Sequence, residues 1–280
     1  VRIRIIFRLR NKGATLPFQH QHLLAELINR LLYNKPAAIK QTYYNYSGIK
    51  GQTKVTRSGL AYFSSRVTLV VSSLSQTFID TLLQELFKHH LLEIGNAILT
   101  PEYVEQEVTP DLKTHMKYVC ISPLVPTSKG AVLHDEPLYQ STLSDWLYDS
   151  TMTRMEKSGL FKHEEIEQFY KFQFVPDVAY LTKLEKSSKT AHRSYFVYQN
   201  GYPMEEIVGY TLPFDLFAHP KVQHFIFNCG LGEYTQEGYG MIDLAHSDHH
   251  DRVVPYRNIQ VQPQENGKSH SSIYIAFEKN

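Results

Sequence analysis

The densest run of chemistry-bearing residues in this 280-residue chain is Gly230-Leu231-Gly232-Glu233-Tyr234-Thr235-Gln236-Glu237-Gly238-Tyr239-Gly240. Its four glycines let the backbone take positive φ and approach a ligand closely, leaving N–H groups for phosphate oxygens; alone, the run reads equally as a tight turn. A nucleotide-cofactor fingerprint needs glycines that follow a strand and open a helix. These follow a predicted helix and precede a predicted strand. A second group, His246, Asp248, His249, His250 and Asp251, with His219 and His224 upstream, has the ligand types for a divalent metal. No defined second half accompanies it, so a solvated polar tail is the plainer reading, and neither metal nor cofactor is expected. A third group is cationic and aromatic. Arg2, Arg4, Arg8 and Arg10 share one face of a strand pattern, and Lys50, Lys54, Arg57 and Arg66 follow, interleaved with Tyr43, Tyr44, Tyr46, Tyr62 and Phe63. That combination pairs phosphate contacts with stacking surfaces, as RNA recognition does. Lys186 to Arg193 reads as a second RNA-contacting turn or a plain exposed one.

The formal charge of +1 conceals how these groups are distributed. Residues 1 to 66 hold twelve basic side chains and one acidic one, Glu26, a charge of +11 that leaves −10 for the remainder. Such polarity suits one region facing an anion. With 42% hydrophobic and 12% aromatic residues, disorder is excluded. Cys120 and Cys229 stand far apart in apolar patterns and read as buried thiols. No apolar run approaches membrane-spanning length, and VRIRIIFRLR alternates charge with hydrophobe, unlike a signal peptide. A cytoplasmic location without membrane contact is expected.

The elements that must position these groups follow from periodicity. Val1 to Arg10 alternates as a half-buried strand, and a helix runs from Pro17 until Lys35-Pro36 closes it. Residues 41–59 read as a loop with an irregular strand, residues 61–73 as a strand, and residues 75–89 as a helix capped by Ser75. Extended patterns follow at 97–108 and 117–124. The order is β-α-β-β-α-β, the split unit of a ferredoxin-like fold. The second half repeats it, with a strand near 117–133, a helix over 142–158, strands at 173–184 and 194–199, a helix over 213–225 and a strand at 240–244. The expected class is therefore α+β: two tandem ferredoxin-like (RRM-like) modules, 1–122 and 123–245, with a C-terminal glycine-rich loop, then a polar tail or linker over 246–280.

In that position, closing the second module, the loop resembles the G-x-G-x5-G-[FY]-G signature of the CRISPR-associated repeat-RNA endoribonucleases of the RAMP superfamily. Leu16-Pro17-Phe18-Gln19-His20-Gln21-His22-Leu23-Leu24 is similar to the family's first helix start, and Ile121-Ser122-Pro123-Leu124 to the Ser-Pro dipeptide opening its second module. The resemblance covers about residues 1 to 245. It implies metal-independent cleavage of repeat RNA, by attack of a 2′-hydroxyl on the adjacent phosphate to give a 2′,3′-cyclic phosphate and a 5′-hydroxyl.

That reaction needs a base, an acid and a cation near the phosphorane. Where many relatives place a catalytic His, this chain has Tyr43, Tyr44, Asn45, Tyr46 and Ser47. The resemblance therefore implies His20 or His22 as the base. Two positions apart on a helix, they point about 200° from each other, so at most one faces substrate. Lys54, with Lys50 as substitute, is the implied cation; Tyr46 would orient the nucleophile or stack on a base. Arg2, Arg4, Lys50, Arg57, Gly230, Gly232, Gly238 and Gly240 are the expected RNA contacts. The expected partner is CRISPR repeat RNA, with other CRISPR effector or adaptation proteins and homodimerisation left open. The superfamily also contains non-cleaving RNA-binding subunits of effector complexes, which is the alternative reading.

Overall fold

A computed structural model describes residues 1–127, 141–199, 201–245 and 252–256. The first half runs β1 (Arg2–Leu9), β2 (Thr15–Leu16), α1 (Gln21–Leu32), α2 (Ala37–Lys40), β3 (Tyr44–Tyr46), β4 (Thr53–Val55), β5 (Leu60–Tyr62), β6 (Arg66–Ser73), α3 (Gln76–Phe87), β7 (Leu92–Ile94) and β8 (Ala97–Glu107). The strand order β8-β1-β6-β3 is antiparallel throughout, which is the ferredoxin-like arrangement. Alternation sends Ile3, Ile5, Phe7 and Leu9 toward one face, where Leu24, Leu27, Ile28 and Leu31 of α1 and Phe78, Ile79, Leu82 and Leu83 of α3 cover them. The Ser75 hydroxyl accepts from the Phe78 N–H at 3.1 Å and fixes the start of α3. By contrast, α1 has no side-chain cap. Strands β2, β5 and β4 form a small separate sheet.

The second half contains β9 (His115–Cys120), α4 (Ser141–Lys157), α5 (His163–Ile166), β10 (Gln173–Pro176), α6 (Val178–Lys186), β11 (His192–Gln199), β12 (Tyr202–Tyr210), β13 (Pro213–Phe217), α7 (Pro220–Cys229) and β14 (Ile242–Leu244). Its sheet order is β10-β13-β9-β14, again ferredoxin-like, and β11 and β12 form a hairpin of their own. Among the described residues no helix is long and apolar enough to cross a membrane.

Several expected boundaries move. β9 lies before residue 122 yet pairs with β13 and β14, so the second sheet begins earlier than the expected division. The segment expected as one strand over 173–184 breaks at Asp177, whose carboxylate accepts from the Tyr180 N–H at 3.0 Å and starts α6. The helix expected from Pro213 starts only at Pro220, because Phe214 and Leu216 alternate inward as a central strand. Residues Arg252–Tyr256, expected within the tail, add β15 (Val253–Pro255) to the edge of β8 and bury Tyr256 in the first core.

Candidate nucleic-acid interface

The glycine-rich loop joins α7 to β14, and its inner side packs against β3. The Asn45 amide donates to the Tyr239 carbonyl at 2.7 Å, and the Gln236 amide donates to the Thr42 carbonyl at 2.8 Å. Behind the loop, the buried guanidinium of Arg154 donates to the carbonyls of Cys229 (3.0 Å) and Gly230 (2.7 Å) and to the Thr235 hydroxyl (3.1 Å). The Ser-Pro dipeptide also faces this loop, since the Gly240 N–H donates to the Pro123 carbonyl and the Met241 N–H to the Ser122 hydroxyl.

These contacts alter the expectation for Gly230, Gly232, Gly238 and Gly240 as RNA contacts. All four are buried, and the N–H groups of Gly230, Gly238 and Gly240 already donate to carbonyls of Ile226, Thr235 and Pro123. Gly238, at φ +84°, would place a Cβ 2.5 Å from the Tyr46 ring, and Gly230, at φ +82°, would place one 1.9 Å from the Asn45 amide. The glycines let one module seat against the other.

His20 and His22 diverge, as two positions on a helix must. His20 is 4% exposed; its Nδ1 lies 3.0 Å from the Pro17 carbonyl and its Nε2 accepts the Ile49 N–H at 2.9 Å. Both ring nitrogens are therefore occupied, and burial lowers its pKa. His22, in the first turn of α1, stays half-buried with its ring stacked on Tyr198 of the β11–β12 hairpin. Its pKa is also lowered by burial, against the opposing pull of Glu26. Gln19 clamps that hairpin: its amide accepts from the Phe196 N–H (3.0 Å), donates to the Phe196 carbonyl, and reaches the Tyr239 hydroxyl (2.7 Å). Tyr46 is fully buried, with its hydroxyl 3.3 Å from the Gln21 carbonyl and its pKa raised well above the ordinary value by burial. It cannot stack on a base in this arrangement.

Half of the basic stripe is met by carboxylates from outside residues 1–66. Arg2 is 1% exposed, pairs with Glu107 at 3.0 Å, donates to the Ile242 carbonyl at 2.9 Å and lies over the Phe227 ring. Arg4 meets Glu105 and Glu107, while Arg8 and Arg66 share Glu102. Arg2 and Arg4 thus join strands and modules and leave little charge for RNA. Lys50 bridges to Thr68 and is half-buried, its pKa lowered by burial and by the charges of Arg2 and Arg4. Lys54 lies exposed over the Phe63 ring at 5.2 Å, and Arg57 is exposed in the turn between β4 and β5. Among the described residues neither has an ion-pair partner, and nor does exposed Lys12 nearby in sequence to this small sheet.

A family model described as CRISPR associated protein Cas6, C-terminal, matches residues 105–244, half of the chain. The chain belongs to the Cas6 family. Solved structures of the same fold include a Cas6-related protein from Pyrococcus furiosus (17% identity, TM-score 0.70), a RAMP protein titled as binding different RNA substrates (17%, 0.68) and a CRISPR associated protein Cas6 (17%, 0.66). Each match covers 88% of this chain and 99% of the other. No curated protein sequence matches.

Cas6 membership supports a role in binding or processing CRISPR repeat RNA. Within this Cas6 chain, the residues with architectural effect that the sequence reading missed are Gln19, Asn45, Arg154 and Tyr198. Only Arg154, a cation set between Met152 and Met155 in the helical run TMTRMEK, carried a visible signal. His246, Asp248, His249, His250 and Asp251 lie outside the described residues. His219 instead caps α7, accepting from the Lys221 N–H at 3.2 Å, and His224 is exposed on that helix. Among the described residues no group of three or more His, Cys, Asp or Glu could hold a metal ion.

Proposed function

We propose that the chain binds CRISPR repeat RNA at the start of α1 and cleaves it without a metal, through 2′-hydroxyl attack that leaves a 2′,3′-cyclic phosphate. The observation supporting this reading is His22. Of the two helix-start histidines it alone is open to solvent, it is neutral near pH 7 because burial lowers its pKa, and it sits in the first turn of an uncapped helix. The helix dipole at that end favours a phosphate, placing an anion beside a base. Lys50 and Lys54 are the cation candidates, with Lys54, Arg57 and Lys12 extending the phosphate-contacting surface along the small sheet. His20 positions the loop leading to Lys50 by holding the Ile49 N–H.

A second reading, a non-cleaving RNA-binding member, is favoured by the sealing of His20 and Tyr46. Incubation with cognate repeat RNA in EDTA separates the two. A product ending in cyclic phosphate, lost in His22→Ala, supports cleavage; tight binding with intact RNA between pH 6 and 9 overturns it.

A further inference from the structure

The turn between α6 and β11 borders a groove of about 730 Å³ against the hairpin, within the size range of ligand pockets. Among its lining residues are Tyr180, Ser188, Lys189, Arg193, Tyr195 and Thr211, and among the described residues no carboxylate lines it. Lys189 and Arg193 are exposed, and neither has an ion-pair partner among the described residues. Tyr180 and Tyr195 are half-buried and supply aromatic surface. Tyr195 is held in place, with its ring edge-on to Tyr239 at 5.8 Å and against Gly209, where a Cβ would come within 2.8 Å of it.

The backbone at the rim is fixed by the C-terminal turn of α6. After α6 the Lys189 N–H donates to the Leu184 carbonyl and the Ser188 N–H to the Glu185 carbonyl, the paired bonds of a helix C-terminal turn that normally places glycine in the left-handed region. Here Ser188 takes that conformation at φ +53°.

We propose that this groove binds one nucleotide of single-stranded RNA, with the phosphate on Lys189 and Arg193 and the base against Tyr195 and Tyr180. Cations paired with fixed aromatic faces and no acid give the chemistry of single-strand binding without sequence readout. The proposal rests on the repeat-RNA reading above and adds a contact in the second module.

Lys189→Ala/Arg193→Ala tests it, with binding measured by fluorescence anisotropy for the cognate repeat RNA and for an octauridylate probe. Both side chains are exposed, so an unchanged thermal melt accompanies the expected result. Octauridylate binding falls about tenfold or more, the repeat RNA weakens with a salt slope shallower by about 1 to 2, and cleavage at saturating RNA is unchanged. Photo-crosslinks from 4-thiouridine in the probe map to the peptides bearing Tyr180 or Tyr195. Equal binding of both RNAs by variant and parent, or crosslinks confined to other peptides, overturns the pocket. Octauridylate captured through this groove by a protein that ignores the repeat supports the pocket while sinking the repeat-RNA reading. A protein that binds neither RNA overturns both.

Discussion

The imidazole of His22 lies on the ring of Tyr198 with centroids 4.1 Å apart and planes 18° from parallel. Part of the burial that lowers the His22 pKa comes from this stack. Tyr198→Ala wets the imidazole and raises its pKa toward the ordinary value. With His22 as the proposed base, which acts in its neutral form, the acid limb of the pH–rate profile for the proposed cleavage shifts to higher pH: the rate falls at pH 6 and changes little at pH 8. A uniform loss at every pH would place Tyr198 on the RNA instead.

His20 makes folding sensitive to acid. Its folded-state pKa lies below the ordinary 6.5, so the unfolded chain takes up its proton first. The stability from neutral His20 is complete above 6.5 and declines as pH falls toward the folded value. His20→Ala removes that dependence and leaves the Ile49 N–H unpaired, at a cost of about 1 to 3 kcal/mol at pH 7.5. Urea denaturation at pH 7.5 and 5.5 reads both effects; an unchanged pH dependence in the variant would contradict this assignment.

Gly238→Ala meets the buried Tyr46 ring in a conformation that itself disfavours a side chain. Overpacking costs about 1 to 3 kcal/mol and adds to the backbone strain. Gly159→Ala, at φ +66° with open space around its Cβ position, carries only the strain. Thermal melts should rank Gly238→Ala well below Gly159→Ala.

The two arginine pairs on the first sheet behave differently. Glu107→Gln leaves the Arg2 guanidinium without its buried carboxylate and costs several kcal/mol, on the order of 3 to 5. Arg8→Ala breaks an exposed pair and costs under about 1 kcal/mol, less in high salt. Neither change is expected to weaken repeat-RNA binding as much as Lys54→Ala/Arg57→Ala, which lowers affinity and makes the salt slope shallower by about 1 to 2. Denaturation and filter binding across a salt series distinguish these effects.

The first sheet was legible in the sequence because β1 alternates, β6 is rich in β-branched residues and α3 carries its own Ser75 cap, whereas β13, central in the second sheet, read as the start of a helix. Asp177 was less visible: a polar residue inside an apolar run reads as an outward strand position until its carboxylate is seen to cap α6. The charge of residues 1–66 pointed toward RNA, but its cancellation depends on strand register. Glu102, Glu105 and Glu107 come from β8, and only the pairing of β8 with β1 places them beside Arg8, Arg4 and Arg2. The motif PFQHQH held the right helix start without showing which histidine faced inward. That followed from the approach of the 47–50 loop, a tertiary contact invisible to periodicity.

Strand β15 pairs with β8 after the whole second module has intervened in the chain. During synthesis from the N-terminus, the first sheet emerges with β7 already paired to the start of β8, but with the Glu105–Glu107 end of β8 bare and Arg2 without the Ile242 carbonyl it later donates to. Closing so long a loop is slow compared with local pairing. The first module thus leaves the ribosome with an open border, sealed only when the far end of the described chain returns to it.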